Sequence, residues 1–167
     1  MSRLKHIHIE GYPYFVTTTT KANIALFSDT KLADSLLDCI YYGRENNWYH
    51  LLSFVIMPEH LHLVIVPQER NISQIMKGIK GFLARRINAD NQNSGSVWQT
   101  GFYDYIIDTE EKLFTKIRYI EQNPGKRRLV SKPALYRYSS AYEQNLTDLD
   151  FYLNGKKAGQ ECPAYPE

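Results

Sequence analysis

His60 and His62 stand two residues apart in the run HLHLVIVP. On a strand, side chains two apart share a face, so this spacing sets both imidazoles on one side, about 7 Å apart at Cβ. Two such rings can grip one divalent ion. The residues around them, from Val55-Ile56 to Leu63-Val64-Ile65-Val66, are apolar, and polar rings in such surroundings carry a desolvation cost that a packed core avoids. The competing reading is a pair of satisfied core histidines, since His6-Ile7-His8 repeats the spacing near the N-terminus. A hydrolytic zinc site of the H-x-H-x-D-H type is excluded, because Val64 and Ile65 stand where Asp and His are needed. A two-histidine phosphoesterase is excluded too, for want of a second H-x-Thr/Ser.

A second chemical group follows Thr109. With Leu113 as zero and about 100° per residue, Leu113, Phe114, Ile117 and Ile120 fall between about −20° and +100°. On that scale Lys112, Lys116, Tyr119 and Asn123 cluster between about 240° and 300°. Tyr119 therefore lies off the apolar stripe, with two lysines beside it and Asn123 one turn on. A phenol among cations is a candidate nucleophile, and a carboxamide oxygen a candidate ligand for a hard cation. The competing reading is an amphipathic surface tyrosine, one of thirteen in the chain. Gly125-Lys126-Arg127-Arg128 then places three cations past the expected helix end, suited to the helix dipole or to phosphate.

Together, a His pair, a third polar ligand, a tyrosine hydroxyl and a basic face are the parts needed to break a phosphodiester covalently. MPEHLHLVIVP resembles the His-hydrophobic-His motif of HUH-type single-strand transposases and relaxases, and YIEQNPGKRRLV resembles their nucleophile helix. With WQTGFYDYII and YRYSSAYE added, the chain is most similar within that group to REP-associated tyrosine transposases, over roughly residues 12–142. The resemblance implies His60, His62 and Asn123 as metal ligands and Tyr119 as nucleophile. It implies a 5′-phosphotyrosine intermediate on single-stranded DNA, release of a 3′-hydroxyl and later rejoining. The implied substrate is a hairpin or palindromic repeat and the implied metal Mg²⁺ or Mn²⁺, imidazole suiting Mn²⁺ better. A monomer is favoured, a homodimer exchanging the tyrosine helix being the alternative. Glu59 departs from the Asn often found between Pro and His in the family. It could act on the ion from behind the ligands or accept a proton from His60. Two other functions stay open: a non-catalytic DNA hairpin-binding regulator, and a metal-dependent phosphodiesterase that uses water in place of Tyr119.

The elements that must position these groups follow from the pattern. The run 11–20 reads as a strand, followed by a helix capped by Ser28, stapled by Phe27 and Leu32, and ending near Gly43–Asn47. Trp48–Met57 and the run from His60 to Pro67 read as strands joined by Pro58-Glu59, hence an antiparallel hairpin. Apolar residues at helical spacing predict a helix over 72–89. YDYIID forms a short strand, and Asp108-Thr109-Glu110-Glu111 starts a helix that the Asn123-Pro124 step should end. The order βαββαβ predicts an α+β, ferredoxin-like split arrangement: a four-stranded antiparallel sheet, helices on one face, an added C-terminal nucleophile helix and a tail. Residues 1–144 form one catalytic domain on this reading, and 145–167 a polar, loosely ordered tail.

Charge is segregated: residues 70–137 hold 13 Lys/Arg against 6 Asp/Glu, as expected of an anion-binding face. The expected DNA contacts are Lys77, Lys80 and Arg85, off the stripe of the 72–89 helix; Lys112 and Lys116, beside Tyr119; and Lys126, Arg127 and Arg128, with Lys132 and Arg137 following. Trp98, Phe102, Tyr103 and Tyr105 could stack unpaired bases. No apolar run approaches the roughly 20 residues of a membrane span, and the N-terminus lacks a secretory signal pattern. A cytoplasmic location is expected. Cys39 and Cys162 are too few for a disulfide framework or a four-thiolate zinc site.

Overall fold

A computed structural model of the chain describes residues 9–91 and 95–157. His6, His8, Cys162 and part of the turn-rich stretch after α2 lie outside them. The elements run β1 (Tyr14–Thr19), α1 (Thr30–Glu45), β2 (Tyr49–Met57), β3 (His60–Pro67), α2 (Ile72–Asn91), β4 (Tyr103–Ile106), α3 (Glu110–Lys126) and α4 (Leu149–Lys157). The four strands form one antiparallel sheet in the order β2-β3-β1-β4. This is the α+β split arrangement expected from the element order.

Both faces of the sheet are covered. Tyr14, Val16, Leu61, Leu63 and Ile65 point toward α1 and α2, where they pack with Leu36, Ile40, Ile75 and Ile79. Phe15, Val64 and Val66 point the other way and pack with Leu113, Ile117 and Ile120 of α3. Helices therefore lie on two faces, not one. The added helix covers the second face, which explains why the central strands read as nearly unbroken apolar runs. An extra residue between Leu51 and Ser53 breaks the β2–β3 register. Its effect is that Tyr49 and Leu51 share a face with Phe54 and Ile56, while Leu52, Val55 and Met57 share the other.

Two helix ends differ from expectation. Leu26–Ser28 forms a short 3₁₀ turn, so Ser28 is inside it and Asp29 caps α1, its carboxylate accepting the Lys31 N–H at 2.8 Å. Helix α3 starts as expected, with Thr109 accepting the Lys112 N–H, but it passes through Pro124 to Lys126. Proline there removes only its own bond to the carbonyl of Ile120. One turn later the Arg127 N–H bonds the Asn123 carbonyl and restores the pattern. Gly125 and Lys126 consequently belong to the last turn and do not follow it.

The chain after α3 returns to the free edge of β2. The Ile56 N–H bonds the Tyr138 carbonyl at 2.8 Å and the Ser140 N–H bonds the Phe54 carbonyl at 2.9 Å. Asp148 then pairs with Arg44 at 2.6 Å and exchanges two bonds with the Leu51 backbone. Leu149, Tyr152 and Leu153 of α4 pack on the α3 side of the sheet. Residues 145–157 are thus docked where the composition suggested a loose tail, because Asp148 and an apolar stripe hold them. Among the described residues no helix is long and apolar enough to cross a membrane.

Candidate active site

Even-numbered residues of β3 face α3, so His60 and His62 project beneath that helix, in line with Val64 and Val66. The two imidazoles are 4.6 Å apart between ring centroids. His62 is buried and its Nδ1 lies 2.7 Å from the Thr17 hydroxyl, which the antiparallel register places directly opposite on β1. His60 is less deeply set, with Nδ1 3.2 Å from a Glu59 carboxylate oxygen. One nitrogen of each ring is thereby engaged, and Nε2 is left to meet a ligand.

Burial favours the neutral form of both rings. Burial pushes the His62 pKa down to about 3, aided by His60 and by the Lys116 ammonium. Burial also lowers that of His60. A neutral imidazole with a free Nε2 and an oriented Nδ1 is the form that ligates a metal.

Tyr119 projects from α3 into the same place. Its ring centroid is 5.4 Å from that of His62, and it is 42% exposed, so the ring meets the histidine while remaining open to solvent. Phe15 lies between these groups: stacked on His62 at 5.3 Å, edge-on to Tyr119 at 5.9 Å, with the Lys116 ammonium 4.5 Å above its ring. Asn123 stands one turn beyond Tyr119 and is buried. Among the described residues no group of three His, Cys, Asp or Glu side chains is arranged to hold a metal ion. Two imidazoles on β3, with the Asn123 carboxamide one turn beyond Tyr119 on α3, are donors of a kind that suits a divalent cation of Mn²⁺ or Mg²⁺ type.

The expected DNA-contacting cations divide into separate groups. Lys112 is paired with Asp108 at 2.7 Å. Lys116 covers Phe15 and Tyr105, Lys126 lies 5.8 Å from the Tyr119 ring, and Arg127 is bonded to Glu59. Arg128 is exposed, with φ at 57°. Of these, Lys126 lies by the Tyr119 ring and Lys116 over the Phe15 ring that touches it. Lys77, Lys80 and Arg85 belong to α2, behind the sheet. Lys80 donates to the carbonyls of Gln99 and Gly101, which makes it a brace for that loop. Lys77 is exposed beside the same loop and Arg85 is exposed further along α2.

Of the candidate stacking aromatics, Trp98 is buried with its Nε1 bonded to the Lys80 carbonyl, and Phe102 packs on the core. Tyr105 lies under Lys116, 5.3 Å from its ammonium. Tyr103 is 54% exposed at the sheet edge and abuts Phe15 at 6.4 Å. Thr17 and Phe15 escaped the sequence reading. Their only signal was the alternation of β1, which puts both on one face without saying which residues lie opposite.

Residues 8–123 match the protein-family model described as transposase, IS200-like. The chain is 28% identical over 155 residues to an uncharacterised protein of Haemophilus influenzae, the match covering 73% of this chain and 86% of that one. Its fold is similar to that of a REP-associated tyrosine transposase solved bound to a REP hairpin, with a TM-score of 0.70, 20% identity, and 84% of this chain and 82% of the other covered.

Proposed function

Because this chain belongs to the IS200-like transposase family, we propose that it is a metal-dependent single-stranded DNA endonuclease and strand transferase. Its substrate on this reading is a hairpin or palindromic repeat, and Tyr119 is the nucleophile. The observation that carries the proposal is the convergence of Tyr119 and the His pair on one face, the Tyr119 and His62 rings 5.4 Å apart. A surface tyrosine whose ring lay on a neighbouring loop would have no reason to meet the buried imidazole of His62. The REP hairpin held by the structurally similar transposase supports the choice of DNA class.

In the proposed step the Tyr119 oxygen bonds to phosphorus and the bond to the 3′ oxygen breaks. That oxygen takes up a proton as the phenol gives one up, leaving a 5′-phosphotyrosine and a free 3′-hydroxyl. His60, His62 and Asn123 would hold a divalent ion, which when bound draws charge from the scissile phosphate. Lys126, beside the Tyr119 ring, and Lys116, over the Phe15 ring that touches it, would supply positive charge where the phosphate must sit. Rejoining reverses the step with an incoming 3′-hydroxyl.

The test uses end-labelled single-stranded DNA carrying palindromic repeats from the flanks of the protein's own gene, incubated with Mn²⁺ and resolved on denaturing gels. A labelled protein–DNA adduct that Tyr119→Phe removes is the expected result. Cleavage that survives Tyr119→Phe without an adduct would assign the attack to water. Salt-sensitive hairpin binding with no cleavage would make the protein a DNA-binding regulator.

A further inference from the structure

The Glu59 carboxylate is shared by two partners from opposite halves of the site. One oxygen lies 3.2 Å from Nδ1 of His60, and the same oxygen accepts from the guanidinium of Arg127. Arg127 is the residue that closes α3, its N–H bonded to the carbonyls of Asn123 and Gly125. Glu59 sits in the two-residue turn between β2 and β3 and is itself fixed there, its carbonyl accepting from the Thr20 N–H and hydroxyl. The turn is therefore a fixed point, and α3 is the element attached to it.

We infer that the Glu59–Arg127 pair is a latch that sets the end of α3 against the His pair, so that Tyr119 and Asn123 are presented to the metal half of the site. The inference rests on the tyrosine mechanism proposed above. It makes Arg127 a positioning residue and removes it from the cations free to contact phosphate.

Arg127→Met breaks the latch alone, Glu59→Gln weakens both of its contacts, and Arg127→Lys restores the charge. In single-turnover reactions with preformed hairpin complex and Mn²⁺, Arg127→Met should slow adduct formation by about tenfold while hairpin Kd stays within about twofold. Arg127→Lys should recover most of the rate. The double variant should be no slower than Glu59→Gln, the mark of two residues in one interaction. Additive losses, or weaker hairpin binding by Arg127→Met at an unchanged rate, would overturn the latch and return Arg127 to the DNA. A second readout is independent of catalysis: the amides of Arg127, Arg128 and Leu129, bonded to the last turn of α3, should exchange hydrogen faster in both single variants. If the wild type forms no adduct, the mechanism fails, and unchanged amide exchange would then sink the latch as well.

Discussion

The Thr17 hydroxyl lies 2.7 Å from Nδ1 of His62, its partner across the β1–β3 ladder. For Nε2 to bind a metal its lone pair must be free, so the ring proton must sit on Nδ1 and be donated to the Thr17 oxygen. Thr17→Val keeps the shape of the side chain and removes that acceptor. We expect Mn²⁺ affinity to fall by about 10-fold to 100-fold, with folding stability lowered by about 1 kcal/mol, measured by metal titration and by denaturant unfolding. Unchanged metal affinity would separate Thr17 from the site.

Phe15 is the packing partner shared by His62, Tyr119 and Lys116. Truncation to Ala should cost about 3 to 5 kcal/mol, as for other buried aromatics, and obscures any effect on the site. Phe15→Leu is the informative change. It should retain the fold, with a loss of about 1 to 2 kcal/mol, yet lower adduct formation by about tenfold because a misplaced nucleophile is sensitive to small shifts. Thermal unfolding and the denaturing-gel assay together distinguish the two effects.

Lys77 and Lys80 sit on the same helix but should behave differently. Lys80→Met removes the donor to the Gln99 and Gly101 carbonyls and should cost about 1 to 2 kcal/mol of stability. Lys77→Met should leave unfolding unchanged. If α2 lies along the DNA, it should reduce the slope of log Kd against log salt by about one unit. Equal unfolding curves for the two variants would remove the brace assigned to Lys80.

Tyr103 presents an open ring beside Phe15, at the edge of the face that bears Tyr119. Such a ring can carry an unpaired base. Tyr103→Ala should weaken binding of single-stranded substrate by about 1 to 3 kcal/mol, and Tyr103→Phe should not, as measured by fluorescence anisotropy. Equal losses in the two variants would assign the effect to the hydroxyl.

The βαββαβ order was legible because each element carries its own punctuation: Pro58-Glu59 between strands, an unbroken helical stripe from Ile72 to Ile87, and Thr109 before Glu110. The shared face of His60 and His62 was legible too, since strand alternation is local. What could not be read was which residues lie opposite. Thr17 reaches His62 through register, and register is fixed by a whole strand pair and by the irregularity at Leu51–Ser53. Pro124 misled for a related reason. A local rule ends the helix there, but its cost is one bond near the C-terminal end, and the bonds from Arg127 and Leu129 carry the last turn past it. The covering of the second face had a signal in the continuous apolar runs of β2 and β3, which an alternating, half-wet sheet would not show.

The return of the chain to β2 bears on how the molecule meets copies of itself. A sheet's outermost strand offers unpaired amides and carbonyls that invite a foreign strand to add, the usual route to swapping and fibre growth. Tyr138, Ser140 and Asp148 already occupy that position along β2. Strand exchange is foreclosed on this flank for as long as the segment stays in place, and clipping the chain before Tyr138 should promote self-association through the edge of β2.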